Sequence, residues 1–256
     1  MEESAMVHQR KSTSLFFDCA YGISGDMTLG ALLSLGVPID LLRHELSKLP
    51  IGGYKLLTRE VERYGVYTCK LDVILDWNHC DNQCDRTLKE VLIMIENSQL
   101  SSLVKQWSSQ LLLVLAQAEA TAHQIPLYEV CFHEKGAVDT IIDFVGTAIC
   151  VEYLAPAHIL STPLNDGIGF IKCRCGIIPV PVPAVKEITM NYAIPVSSLK
   201  IESELVTPTG AAIAAVFFSQ YLPTPPHNHN VLKIGAGSGD YDYGTGGYLK
   251  CSMIES

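Results

Sequence analysis

The chain has 256 residues, 48% of them hydrophobic and 18% charged, enough apolar material for a packed core and too little charge for a disordered chain. Eighteen basic residues stand against 27 acidic ones, a formal charge of −9. That balance argues against a nucleic-acid partner, and no apolar run approaches the length of a membrane span, so no membrane partner is expected.

Met1 to Thr13 is polar and lacks the apolar centre of a signal peptide, so 1–13 reads as a disordered leader and 14–256 as the domain, with a sub-boundary conceivable near 155–165. Without an export signal a cytoplasmic location follows, and the nine cysteines are expected as reduced thiols. Cys150, inside FVGTAICVEYL, reads as a packing residue.

Ser14 to Cys19 reads as a buried strand and Asp26 to Leu35 as a helix, with Gly36 ending it and Pro38 opening the next, Asp40 to Leu49. Tyr54 to Arg63 and Val66 to Asp76 predict a hairpin around Tyr64-Gly65. WNHCDNQCD (77–85) is a polar break. Arg86 to Asn97 and Ser102 to His123 are helical by spacing, the second with an apolar face of Leu103, Trp107, Leu111, Val114, Leu115 and Ala118. Val130 to Phe132 resembles a strand, and a helix follows over Ala137 to Leu154. Beyond it lie a PVPVP run (Pro179 to Pro183), a helix over Pro208 to Tyr221, an exposed loop at 222–230, and strands near Val231 to Ile234 and Gly247 to Met253. Interleaved strands and helices predict an α/β fold, a mixed layered sheet with helices that opens as strand, loop and helix.

Several constellations could carry chemistry. In FDCAYGISGDM (17–27), Asp18 falls at the carboxyl end of a strand, where α/β proteins place their ligands. Gly22 and Gly25 allow close backbone approach, Ser24 offers a hydroxyl, and the helix N-terminus that follows favours an anion. The plain alternative for Asp26 is a helix cap. In FHEKGAVDTIIDFVG (132–146), Asp139 and Asp143 are four residues apart and share a helix face amid apolar neighbours. With His133 and Glu134 just before them, they supply the nitrogen and oxygen donors a divalent transition metal accepts, the alternative being surface ion pairs.

Cys173 with Cys175, and His79 with Cys80 and Cys84, are further donor groups without structural-zinc spacing, and free thiols are the simpler reading. In ELVTPTGAAIAA (204–215), Pro208 suits a helix start, Thr207 and Thr209 are candidate caps, and Gly210 permits close approach. The Gly-rich KIGAGSGDYDYGTGG (233–247) fits a hairpin better than a phosphate loop.

FDCAYGISGDM, FHEKGAVDTIIDFVG, GIIPVPVPA and ELVTPTGAA, in this order, resemble the LarC-type nickel-insertion family, pyridinium-3,5-bisthiocarboxylic acid mononucleotide nickel chelatases, over roughly residues 14–254. The resemblance implies a lyase-class enzyme that inserts nickel into that mononucleotide. It implies one carbon–nickel and two sulfur–nickel bonds in the product, and consumption of CTP with Mg or Mn. It places Asp18, Gly22, Ser24, Gly25 and Asp26 in the first motif. His133, Glu134, Gly136, Asp139 and Asp143 fall in the second, Pro179, Pro181 and Pro183 in the third, and Thr207, Pro208, Thr209 and Gly210 in the fourth.

On that basis the expected catalytic groups are Asp18, Asp26 and Asp139, and the expected nickel donors His133, Glu134, Asp143 and Cys175. The expected phosphate and ligand contacts are Gly22, Ser24, Gly25, Thr207, Thr209 and Gly210. Three departures stand out. Ala20-Tyr21 replaces a Phe-Ser pair, His79 with Cys80 and Cys84 replaces a His-rich loop, and Arg174-Cys175-Gly176 replaces Ala-His-Gly. Members also carry a C-terminal nucleotide-linked domain, so a separate polypeptide supplying it is an expected partner, beside a homo-oligomeric assembly. Two other functions fit the same residues: a nickel-binding carrier or subunit without catalysis, and a phosphorylated-ligand binding protein indifferent to nickel.

Overall fold

The computed structural model describes residues 12–76, 78–79, 85–132, 138–173, 176–224, 230–240, 242 and 246–255. In chain order its elements are β1 (Thr13–Asp18), α1 (Gly25–Ser34), α2 (Ile39–Leu46), β2 (Tyr54–Arg63), β3 (Val66–Leu75), β4 (Arg86–Thr87), α3 (Leu88–Glu96), α4 (Ser102–His123), β5 (Cys131–Phe132) and α5 (Val138–Leu154). There follow β6 (Ile159–Ser161), β7 (Leu164–Asp166), β8 (Phe170–Cys173), β9 (Gly176–Pro179), α6 (Pro183–Asn191), β10 (Val196–Ser198), α7 (Pro208–Phe217), β11 (Gln220–Tyr221), β12 (Val231–Ser238) and β13 (Tyr248–Glu255).

Seven strands form one mixed sheet in the order β11-β6-β1-β13-β12-β3-β2. β1, β6 and β11 run parallel, as do β12 and β3, while β13 is antiparallel to both β1 and β12 and β2 to β3. The carboxyl ends of β1, β6 and β12 therefore lie along one edge of the sheet. Two-stranded ladders join β7 with β10, β4 with β5, and β8 with β9. The architecture is the mixed α/β one expected.

α1 packs on β12, β3 and β13, and α5 packs over α1. The sequence of α1, GDMTLGALLS, has no polar stripe, and eight of its ten residues are buried; a helix apolar all round is stable only when covered on every side. Glycines bring it unusually close to the sheet. A Cβ on Gly237 would lie 2.0 Å from the Met27 carbonyl, and one on Gly30 would lie 2.3 Å from that of Cys69. The Gly-rich run after Lys233 thus serves helix-on-strand packing within a β12–β13 hairpin. α4 packs against α3, α5, α6 and α7. Among the described residues no helix is long and apolar enough to cross a membrane.

The helix over 102–123 forms with the expected bounds, capped by Ser101, whose hydroxyl accepts from Val104 N. Three expectations shift. The helix expected from Arg86 begins at Leu88, because Arg86–Thr87 pairs with β5 and Thr87 forms a capping box with Glu90. The helix expected to Tyr221 stops at Phe217, and Gln220–Tyr221 becomes an edge strand on β6. The proline run leads into α6, with Pro183 in its first turn.

Candidate active site

The carboxyl edge of the sheet carries the first and fourth motifs, and the fold joins them directly. Ile23 and Val206 form a parallel bridge. Ile23 N donates to the Leu205 carbonyl (3.0 Å), and Thr207 N donates to the Ile23 carbonyl (3.1 Å). One residue past the bridge each chain reaches a helix cap. The Ser24 hydroxyl accepts from Met27 N at the start of α1, and the Thr207 hydroxyl accepts from Gly210 N (3.1 Å) at the start of α7. Two helix N-termini are therefore entered side by side from parallel chains.

Glycine is required at the contact. Gly22 has φ +87° and a Cβ there would lie 2.0 Å from the Leu205 carbonyl oxygen, while a Cβ on Gly210 would lie 2.1 Å from the Ile23 carbonyl oxygen. Ser24, not Asp26, is the N-cap of α1, and Asp26 lies in its first turn. Thr207 is the cap of α7, whereas Thr209 lies within the helix with its hydroxyl 2.8 Å from that of Thr207.

The two N-termini differ electrically. Asp26 accepts from Ser24 Oγ and from Met27 N (2.8 Å). Asp143, reaching across from α5, packs so closely that a Cβ on Gly25 would be 2.1 Å from its Oδ2. Two carboxylates thus sit at the positive end of α1, a favourable place for them. Asp139 lies one turn earlier on α5, half-buried like Asp143. The first turn of α7 has no acidic residue. Burial raises the Asp26 pKa above its ordinary 3.8, opposed by the Ser24 hydrogen bond, the Lys70 charge and the Met27 N–H.

Asp18, at the end of β1, pairs with Lys250 of β13 (3.0 Å). Cys19, next to it, is wholly buried against the Ser161 hydroxyl (3.3 Å), and burial pushes its thiol up to about 12. Cys150 is likewise buried with its thiol raised to about 12, which fits its reading as a packing residue; a thiol so raised is a poor metal ligand.

The motifs thus bring together Gly22, Ser24, Gly25, Asp26, Asp143, Thr207, Thr209 and Gly210. His133, Glu134, Gly136, Cys175, Cys80 and Cys84 lie outside the described residues, as does the side chain of Cys173. Among the described residues no three His, Cys, Asp or Glu side chains are grouped so as to hold a metal ion.

Sequence reasoning missed a charged group beside Asp26. Lys70 of β3 is almost wholly buried, 3% exposed at its side chain, and its ammonium lies 2.5 Å from Asp240, 3.5 Å from Asp72 and 3.9 Å from Asp26. Asp72 also pairs with Arg59 (2.6 Å), whose hydrogen bond holds its carboxyl below the ordinary carboxylate range. Strand alternation puts Arg59, Lys70 and Asp72 on one sheet face, but nothing in their spacing pointed to residue 26 or 240.

The family model for nickel insertion proteins matches residues 15–255. A pyridinium-3,5-bisthiocarboxylic acid mononucleotide nickel insertion protein of Alkaliphilus metalliredigens is 38% identical over 258 residues, covering 95% of this chain and 61% of its own length. Proteins of the same name from Geobacillus kaustophilus and Clostridium kluyveri are each 41% identical, covering 88% and 89% of this chain and 56% and 58% of their own length. The chain thus spans about three fifths of the curated relatives it matches. No solved structure matches it. With a family match over nearly every described element and relatives 38–41% identical over most of its length, this chain belongs to the nickel insertion protein family.

Proposed function

We propose that this chain inserts nickel into pyridinium-3,5-bisthiocarboxylic acid mononucleotide, as a cytoplasmic lyase-class nickel chelatase that consumes CTP with Mg or Mn. The observation that carries the reading is the pairing of two helix N-termini of opposite character. That of α7, with Thr207, Thr209 and Gly210 and no acid, suits the mononucleotide phosphate. Gly22, Ser24 and Gly25 line the junction. That of α1 is occupied by carboxylates and suits the cation side, where Asp143 is a hard donor to nickel, His133 and Glu134 of the same motif add to it, and Cys175, standing where the family has a His, completes the set.

Forming a carbon–nickel bond at the pyridinium ring displaces a ring proton, which needs a base near the metal. Asp26 fits that role because burial raises its proton affinity while Ser24 and Lys70 fix its orientation. Asp139 stands one turn from Asp143 and serves as the second carboxylate. Asp18, held by Lys250, borders the same sheet edge. The electron pair of the broken ring C–H bond becomes the carbon–nickel bond, both sulfurs bind the same nickel, and the proton leaves on the carboxylate, with no change of oxidation state.

The test is anaerobic incubation of the purified chain with nickel, the mononucleotide, CTP and Mg or Mn, with nickel incorporation followed by mass spectrometry. Product is expected, and Asp26→Asn and Asp143→Asn should each lower its rate by roughly 100-fold or more. Nickel retained on the protein without product, in the presence or absence of a separate nucleotide-linked polypeptide, would replace the enzyme by a carrier. Mononucleotide binding that ignores nickel would leave a phosphorylated-ligand binding protein.

A further inference from the structure

The spacing between the two caps is held by neighbours that belong to none of the four motifs. Asn165 and Asp166 are consecutive on β7, and successive strand residues point to opposite sides. Asn165 grips the first loop: its backbone N donates to the Cys19 carbonyl (3.3 Å) and its Nδ2 to the Ala20 carbonyl (3.1 Å). Asp166 grips the other. Its Oδ1 accepts from Gly167 N (2.7 Å), Leu205 N (2.9 Å) and Val206 N (3.0 Å).

Leu205 and Val206 are the residues that bridge to Ile23, so the contacts close a circuit. It runs from Asn165 through the loop at 19–22, across the Ile23–Val206 bridge, and back through Leu205 to Asp166. The circuit is tight: a Cβ on Gly167 would lie 1.8 Å from the Ser203 carbonyl oxygen.

Asp166 is completely buried, and its Oδ2 has no hydrogen-bond partner among the described residues. Burying a carboxylate is costly, and it persists where its hydrogen bonds order something else. Here the ordered segments are those that end in Ser24 and Thr207.

We propose that Asn165 and Asp166 are positioning residues for mononucleotide binding, setting the distance and angle between the cap of α1 and the cap of α7. The proposal rests on the reading of that junction as the substrate site. Neither side chain touches the ligand; each acts through backbone that does. A merely structural staple would govern how much protein is folded, whereas a positioning pair governs the affinity of the folded molecules.

Isothermal titration of the full chain with pyridinium-3,5-bisthiocarboxylic acid mononucleotide separates the two, because it yields the competent fraction and Kd independently. Asp166→Ala should raise Kd by about tenfold, since small misplacements of binding groups are expensive. Asn165→Ala, which removes one hydrogen bond, should raise it by about threefold. Asp166→Asn, which keeps an acceptor oxygen for the three N–H groups, should return it to within about twofold of wild type. If Asp166→Ala fails to fold, Asn165→Ala, at a half-buried position, carries the test.

A lowered competent fraction with unchanged Kd in these variants overturns the proposal while the site reading stands. No binding by the wild-type chain overturns the site reading, and the proposal with it.

Discussion

Around Ile23 and Val206 the molecule is held by backbone; around Lys70, on the far side of Asp26, it is held by side-chain charge. In the first region main-chain hydrogen bonds and glycines leave no room for a Cβ. In the second, one buried ammonium gathers carboxylates whose own exposure runs from 25% to 68%. Asp26 belongs to both, through Ser24 on one side and Lys70 on the other. A backbone junction fixes geometry and is indifferent to ionic strength, whereas a partly exposed charge cluster fixes the electrical state of a group and responds to salt and pH. A site that must hold a phosphate still and adjust the basicity of a carboxylate has use for one of each.

The sharpest way to break this contrast is at Gly22. Gly22→Ala combines a positive φ with a Cβ inside the Leu205 carbonyl, so a loss of about 2–4 kcal/mol in urea denaturation is expected. A stability close to wild type would mean that the junction yields, and the backbone half of the comparison would fall.

A smaller effect is expected at Lys70. Lys70→Met leaves its carboxylates without their central cation, but they are partly solvated, so the loss should be about 1–2 kcal/mol. It should also shrink as salt is added, unlike the loss at Gly22. A salt-independent loss would make Lys70 a packing residue.

The smallest concerns Asp166 and pH. Burial raises its pKa above 3.8 against the pull of three N–H groups. A raised folded-state pKa contributes stability that is complete below the unfolded value and fades as pH rises through the folded one. Asp166→Asn abolishes that contribution, so the variant should gain on wild type as pH rises above the ordinary carboxylate value. A difference constant with pH would show that Asp166 does not titrate on unfolding.

The two regions were also unequally visible before any coordinates. The junction announces itself locally, through Gly-Ile-Ser-Gly-Asp and Thr-Pro-Thr-Gly, because caps and close approaches demand particular residues at particular positions. The helix at 102–123 was plain from its long apolar face. The Lys70 cluster was not, since residues 26, 70 and 240 meet through the packing of α1 on the sheet and the pairing of β12 with β3. Asn165–Asp166 was hidden inside β7, a strand of three residues too short to show alternation. The start of α6 was obscured by its prolines, although Pro183 sits where a helix tolerates one. Thr87 with Glu90 was a readable capping box that the periodicity of the next turns masked.

The pairing of β1 with β13 has a practical consequence. Thr13 stands opposite Glu255, and Asp18 opposite Lys250, so the described chain enters and leaves the sheet at adjacent points. At about 3.3 Å per strand residue, those points are roughly 17 Å from the edge that carries Asp18 and the two caps. A spectroscopic probe placed at Thr13 or Glu255 would therefore sit at that remote edge, clear of the two caps, and would report on the sheet without crowding the site.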